Sequence, residues 1–133
     1  MARNLLKPGL MIAICCGLAA CRVSALQENP GAVAAKNDLD QRVQAYLDAH
    51  RDRWSGGFSD VDGQLLYDLI FENEYTRVVE IGTGTGHSAI WLAWALSKTG
   101  GTLTTIEINE SRCKEAAAHF EEAGLSEETI IVF

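Results

Sequence analysis

The stretch VVEIGTGTGHSAIWLA, residues 78–93, joins a short β-branched run to a longer apolar run through three glycines at alternate positions. The first run is typical of a buried strand, and the second predicts a helix from about His87 to Lys98. Glycines in such a turn remove side chains where a ligand must approach the backbone, and the following helix directs free N–H groups and the positive end of its dipole to the same place. The stretch therefore predicts a strand, a ligand-binding turn and a helix, in that order.

The sequence on the C-terminal side repeats this order. TLTTIEI (102–108) predicts a second strand, Asn109 can cap a helix that Gly124 ends, and TIIVF (129–133) predicts a third strand. Strands that alternate with helices of this length are typical of a parallel sheet with right-handed crossovers. The predicted fold class is therefore α/β, with a three-stranded βαβαβ half sheet. Because the chain ends inside an apolar strand, we expect it to be the N-terminal part of a longer protein.

Two helices are predicted before the sheet. The first begins at Asp38 and carries apolar residues at helical spacing from position 39 to position 47. The break WSGGF (54–58) follows it, and Ser59 or Asp60 can cap the second helix. Trp91 and Trp94, on the helix after the glycines, are interpreted as core residues rather than as a cage for a substrate.

The first twenty residues are typical of a bacterial export signal. Arg3 and Lys7 are followed by an uncharged apolar stretch that is shorter than the roughly 20 residues needed to span a bilayer. The end of that stretch, LAAC (18–21), resembles the lipobox of lipoproteins, in which cleavage before the cysteine is followed by acylation of its thiol. We therefore expect a signal peptide (1–20), a lipid anchor at Cys21, a tether (21–37) and a folded domain (38–133). These features predict an exported, membrane-anchored lipoprotein. Three alternatives are open: cleavage after VSA (23–25) as in an ordinary secretory signal, a misassigned start codon with a cytoplasmic protein, or a buried apolar helix.

Charge and cysteine content limit the partners of the mature protein. The whole chain has a net charge of −7, and removal of residues 1–20 takes away two of its 11 basic residues and none of its 18 acids, which gives −9. Such an acidic domain argues against a nucleic-acid partner. Of four cysteines, only Cys113 would remain as a free thiol, so no disulfide can form within one mature chain. Cys113 is interpreted as a small core residue.

Two ligand classes compete for the glycine turn. A dinucleotide fingerprint would be G-x-G-x-x-G, but the sixth position counted from Gly82 is His87, which weakens the case for a pyrophosphate and for NAD. The sequence instead reads E-x-G-x-G-x-G, with Glu80 ahead of the glycines. Glu107 closes the second strand, twenty-one residues after Gly86, where its carboxylate can accept from both hydroxyls of a ribose.

These motifs are similar to those of a known enzyme family. EIGTGTGHSAIWLA and TTIEIN resemble the first motif and the second strand of class I S-adenosylmethionine-dependent methyltransferases, which have a Rossmann-like fold. With SDVDGQLL (59–66) upstream, they resemble the O-methyltransferases that include the catechol and caffeoyl-CoA enzymes. The resemblance covers roughly residues 56–133. It implies S-adenosylmethionine as cofactor and a small-molecule hydroxyl as methyl acceptor.

The resemblance also implies roles for particular residues. Glu80 and Gly82 would lie against the methionine part of the cofactor, Ser88 would hydrogen-bond its carboxylate, Glu107 would hold the ribose, and Phe58 could cover the methionine end. The full predicted cofactor set is Phe58, Glu80, Gly82, Thr83, Gly84, Gly86, Ser88, Glu107 and Ile108. His87 replaces a tyrosine common in the family and is interpreted as a surface or first-turn residue. In the family Mg²⁺ binds acids from the fourth strand onward, so no metal ligand and no catalytic residue is assigned in this chain.

The first hypothesis is an O-methyltransferase of which this chain is the cofactor-binding part, with a homodimer as a possible assembly. The first alternative is a non-catalytic, membrane-tethered module that binds a nucleoside-like ligand. It is suggested by the export signal, because S-adenosylmethionine is made in the cytosol. The second alternative is an NAD-dependent oxidoreductase.

Overall fold

The computed structural model of the protein describes residues 30–53 and 57–133, with side chains from Asp38 onward apart from Arg53. The predicted signal peptide (1–20) and the acylated Cys21 lie outside the described residues, so both stay predictions. No helix in the described part of the chain is both long and apolar enough to span a bilayer. The elements are α1 (Pro30–His50), a 3-10 turn (Arg51–Arg53), α2 (Asp60–Glu72), β1 (Arg77–Ile81), α3 (His87–Thr99), β2 (Thr102–Ile106), α4 (Glu110–Ala123) and β3 (Thr129–Val132).

The three strands form one parallel sheet in the order β1-β2-β3. Val79 lies opposite Thr104, and Thr104 lies opposite Ile130. Crossovers between parallel strands follow a right-handed rule, and two that move in the same direction along the sheet place their helices, here α3 and α4, on the same face. The α/β class and the βαβαβ half sheet preceded by two helices are confirmed.

The opposite face of the sheet is largely bare in the described chain. Val79 and Ile81 of β1 are 67% and 86% exposed, and Ile130 and Val132 of β3 are 53% and 42% exposed. We call this surface, with Thr104 and Ile106 of β2, the open face. The prediction that β1 is a buried strand is therefore wrong for one of its faces. A β-branched apolar run does not distinguish a strand covered on both faces from one covered on a single face.

Helix α1 begins at Pro30, so the predicted start at Asp38 is wrong. The Pro-Gly pair suggested a turn, but proline suits the first turn of a helix because its missing N–H would have no partner there. Three alanines between positions 32 and 35 then favour continuation. The predicted tether (21–37) is therefore helical from Pro30, and its role as a link to an anchor stays a prediction.

Polar contacts bind α1 to the rest of the domain. Arg42 donates from Nε and Nη2 to the carbonyls of Glu122 and Glu121, each at 2.9 Å. These carbonyls end α4, where a helix has acceptors without intrahelical partners and favours a cation. Asp40 accepts from Nε1 of Trp94 at 2.6 Å and pairs with Lys98, both on α3. The helix is thus fixed to both crossovers of the sheet.

Helices α2 and α3 meet at an unusually close contact. A Cβ atom at Gly63 would lie 2.4 Å from the ring of Trp91, so only glycine fits there. Trp91 is 5% exposed, and the half-buried Trp94 contacts Tyr67 with ring centroids 4.9 Å apart. The interpretation of both tryptophans as core residues is confirmed. The largest fully buried side chains are Phe120, Ile90, Leu96, Leu103, Leu125 and Val43.

Candidate functional site

The candidate site lies where β1 and β2 end. Residues 82–86, which we call the glycine loop, leave β1 at Ile81 and reach the first turn of α3. The N–H groups of Gly82 and Thr83 donate to the carbonyl of Ile106 at 2.8 and 3.2 Å, which binds the start of the loop to the end of β2. The carboxyl ends of parallel strands are the usual ligand-binding edge of an α/β sheet.

The glycines of the loop serve two different purposes. Gly82 and Gly84 have φ values of +93° and +58°, and a Cβ atom on either would meet no other atom within 4 Å. The space on the side where a side chain would lie is therefore open at these two positions, as the sequence predicts for a ligand-binding turn. Gly86 differs, because its Cβ would approach Phe120 at 3.3 Å and Ala116 at 3.5 Å. Its lack of a side chain serves close packing on α4 rather than approach of a ligand.

Glu80 is held by hydroxyl groups from both sides. Ser88 donates to its Oε1 at 2.5 Å, and Thr105 donates to its Oε2 at 2.6 Å. Since Thr105 uses its only hydroxyl hydrogen on Glu80, the 2.6 Å contact with the Thr83 hydroxyl must have Thr83 as the donor. A hydrogen-bond chain thus runs from Thr83 through Thr105 to Glu80. It fixes the carboxylate at the open end of β1.

This hydrogen-bond chain refines the predicted roles of Thr83 and Ser88. Thr83 is 3% exposed and its side chain faces Thr105, so only its backbone remains for contact with a ligand. Ser88 is brought beside Glu80 as the motif predicts, but its hydroxyl hydrogen is directed to Glu80. It would have to rotate to donate to a ligand carboxylate.

Glu107 joins the glycine loop to the start of α4. Its Oε2 accepts from the N–H of Gly84 at 2.8 Å, and its Oε1 accepts from the N–H of Asn109 at 2.9 Å. These two backbone donors hold the pKa of Glu107 below its usual value, so it is ionised at neutral pH. The residue is only 5% exposed, whereas the adjacent Ile108 is 92% exposed. Glu107 is therefore not a solvated acid at the end of a strand.

Phe58 and His87 meet at the far end of the loop. Their rings are in edge-to-face contact with centroids 5.1 Å apart, and Nε2 of His87 lies 3.6 Å from Oδ1 of Asp60. Burial lowers the pKa of His87, and the carboxylate of Asp60 opposes this only in part. His87 is the first residue of α3, as predicted, but with 9% exposure it is not a surface residue. Phe58 thus reaches the glycine loop from the segment just before α2, although it is distant from the loop in sequence.

Sequence reasoning missed two residues that contact this region. Thr105 is fully buried and positions Glu80, and His119 of α4 contacts the carbonyl of Thr85 at 2.8 Å. The available signal for Thr105 was its position in β2, two residues before Glu107 and on the face that the helices cover. No local pattern marks His119. The predicted core residue Cys113 is half-buried, with its thiol 3.5 Å from the carbonyl of Glu107.

No group of three or more His, Cys, Asp or Glu side chains within residues 38–52 and 57–133 is arranged to hold a metal ion. The glutamates at the strand ends are each occupied by hydrogen-bond donors of the chain itself.

Comparison with known proteins agrees with this geometry. Residues 48–132 match the sequence model of a family described as O-methyltransferase. A curated protein of Mycobacterium sp. (strain KMS), named as an O-methyltransferase, is 35% identical over 86 residues, which are 65% of this chain and 39% of that protein. The match therefore spans well under half the length of this relative.

Solved structures show the same relation. The O-methyltransferase of Bacillus cereus in complex with SAH is 29% identical with a TM-score of 0.56, covering 72% of this chain and 42% of that one. The O-methyltransferase TomG of Streptomyces achromogenes in complex with SAM is 35% identical with a TM-score of 0.56, covering 69% and 42%. With the Rossmann-like half sheet and the glycine loop between Glu80 and Glu107, the family match establishes that this chain belongs to the O-methyltransferase family.

Proposed function

We propose that this chain is the cofactor-binding part of an S-adenosylmethionine-dependent O-methyltransferase that acts on a small-molecule hydroxyl. One observation carries the proposal: two preorganised carboxylates, Glu80 and Glu107, flank a glycine loop whose backbone borders open space. The solved relatives that contain SAH or SAM support the same cofactor.

The residues present fit this cofactor chemically. Each carboxylate oxygen can accept more than one hydrogen bond, so Glu107 retains acceptor capacity for the two ribose hydroxyls after its contacts with Gly84 and Asn109. Glu80 likewise retains capacity for the ammonium group of the methionine part. The exposed side chain of Ile108 offers an apolar contact for the flat face of an adenine ring.

The same contacts argue against a dinucleotide. A pyrophosphate needs free N–H donors at the glycine turn and at the start of the following helix. Here the N–H of Gly84 is used by Glu107, and the N–H of Gly86 donates to the carbonyl of Thr83 at 2.9 Å. The two carboxylates beside the loop also repel a phosphate. The comparisons, which find methyltransferases, likewise do not favour the NAD alternative or a non-catalytic module.

When bound, S-adenosylmethionine supplies an electrophilic methyl group on its sulfonium. The contribution of this chain is to orient the cofactor. Glu80 and Glu107 fix its opposite ends, and the glycine loop lets it approach the protein backbone closely. We propose that the binding site for the acceptor molecule, the general base for its hydroxyl and any Mg²⁺ ligands are supplied by residues outside this chain. The longer relatives support this division.

The location of the protein remains a separate proposal. The basic residues 3 and 7, the uncharged apolar stretch and the LAAC sequence support export and a lipid anchor at Cys21. Labelling of cells with a radioactive fatty acid should mark the protein, and Cys21→Ser should remove the label. An unlabelled protein in the cytoplasmic fraction would contradict this proposal. A homodimer is proposed only as a possible assembly, which sedimentation analysis of the purified protein would test.

The test of function is calorimetric titration of the protein with S-adenosylmethionine and, separately, with NAD. We expect micromolar binding of S-adenosylmethionine and none of NAD. Glu107→Gln should abolish most of the affinity, because an amide oxygen and an amide nitrogen cannot accept from both ribose hydroxyls while both backbone contacts are kept. Glu110→Gln, an exposed neighbour, is the matched control and should bind normally. Preference for NAD, or binding that Glu107→Gln leaves unchanged, would refute the proposed site.

A further inference from the structure

The glycine loop rests on one face of α4. Ala116 and Phe120 contact the position of Gly86, and between them His119 places Nδ1 2.8 Å from the carbonyl oxygen of Thr85. Residues three and four apart lie on the same side of a helix, so these side chains form one surface under the loop. None of the three belongs to the predicted cofactor set.

The hydrogen bond from His119 has a defined direction. A carbonyl oxygen can only accept, so Nδ1 carries the hydrogen and donates it to Thr85. The Thr85 carbonyl and the Gly86 N–H belong to one planar peptide group. His119 holds the oxygen side of this group, and the Thr83 carbonyl accepts from its nitrogen side at 2.9 Å. The orientation of this peptide group is therefore fixed from both sides.

Helix α1 supports the imidazole from behind. The rings of Tyr46 and His50 are stacked with centroids 4.2 Å apart, and the ring of His119 lies 6.0 Å from the first and 6.1 Å from the second. These separations are within the range of favourable aromatic contacts. His119 is 9% exposed and is thus enclosed between α1 and the loop.

We propose that His119 is a positioning residue for the glycine loop, that it sets the peptide group between Thr85 and Gly86, and that the Tyr46–His50 pair of α1 holds its ring in place. Only the identity of the ligand rests on the proposed function. The loop borders the open space at Gly82 and Gly84, so a change in its geometry alters the surface that a cofactor meets.

The test uses two variants of the whole chain. His119→Leu removes the donor and leaves the Thr85 carbonyl without its partner, whereas His119→Asn keeps an N–H donor at about the same distance from the backbone. Amide hydrogen exchange of Gly84 and Gly86 is measured without ligand, and affinity for S-adenosylmethionine is measured by calorimetry. We expect His119→Leu to speed exchange at both amides about tenfold and to weaken binding about three- to tenfold, as loss of one hydrogen bond would. His119→Asn should restore most of both effects.

A buried substitution away from the loop provides the control. Leu125 is buried just after the C-terminal end of α4. Leu125→Val lowers packing there, and we expect it to reduce global stability without a selective loss of protection at Gly84 and Gly86. The positioning role is overturned if His119→Asn behaves like His119→Leu, or if both leave the loop amides unchanged. If the wild-type protein binds no S-adenosylmethionine, the exchange data still decide the role of His119, and only the proposed function fails.

Discussion

Replacement of Thr105 by valine would break the hydrogen-bond chain that fixes Glu80. The change keeps the shape and β-branching of the side chain and removes only the hydroxyl. Glu80 then loses a charge-assisted hydrogen bond of 2.6 Å, and the buried Thr83 hydroxyl loses its acceptor. A hydrogen bond to a charged group is worth about 1.5–3 kcal/mol, and an unsatisfied buried hydroxyl costs about 1–3 kcal/mol. We therefore expect Thr105→Val to lower the free energy of unfolding by about 2.5–6 kcal/mol, the sum of the two effects.

Urea unfolding followed by circular dichroism measures this loss. Thr104→Val is the matched control, because Thr104 lies on the open face of the same strand and should change stability by less than about 0.5 kcal/mol. The double variant Thr83→Val/Thr105→Val should be less destabilised than the sum of the single changes, since it leaves no unpaired threonine hydroxyl. If Thr105→Val cost no more than Thr104→Val, the inferred chain of donors would be wrong. The same variant should also weaken binding of S-adenosylmethionine, because Glu80 would no longer be preorganised.

Other consequences follow from the packing, the ionisation and the helix caps. Gly63→Ala should destabilise the protein by about 1–3 kcal/mol through its clash with the ring of Trp91, whereas the same change at an exposed helical site would be stabilising. Gln64→Ala is the control, and equal melting temperatures for the two variants would contradict the close contact. The pKa of Glu107 is lowered by its two backbone donors, so its contribution to stability is present above about pH 4.3 and is lost as the pH falls through the lowered value. Urea midpoints between pH 7 and pH 3 should therefore fall more steeply for the wild type than for Glu107→Gln, and parallel curves would refute this. Ser59 and Asp62 form a capping box, with the Asp62 carboxylate accepting from the Ser59 N–H at 2.9 Å. Ser59→Ala should cost about 1 kcal/mol in unfolding free energy, and a neutral result would show that the box contributes nothing.

The strand-loop-helix order was predictable because each part has a local signal. β-branched residues mark the strand before the loop, the three alternating glycines mark the turn, and Asn109 and Gly124 mark the ends of α4. Glu80 was found because it stands ahead of the glycines in the E-x-G-x-G-x-G motif, and Glu107 because it closes the second strand twenty-one residues after Gly86. These features depend on a few neighbouring residues, so a single sequence carries them.

The features that were missed depend on contacts between distant residues. His119 is a site residue only because α4 passes under the loop. Thr105 is one only because its hydroxyl faces Glu80 on the neighbouring strand. The exposure of Val79 depends on which face of the sheet the helices cover, which β-branched composition does not reveal. The early start of α1 at Pro30 was missed because the same Pro-Gly pair suits a turn and a first helical turn.

The open face has a consequence for which substitutions natural variants can carry. A strand surface that meets water tolerates charged residues, whereas one that another layer covers in the working protein does not. Val79→Asp and Ile130→Asp should therefore report the environment of this face when they are assayed by growth or abundance in cells. Loss of the protein with either change would mean that the face is covered where the protein acts, and normal abundance would mean that it meets solvent. If both changes are rejected, the sequence constraint at these β-branched positions indicates a covering layer that lies outside the described part of this chain.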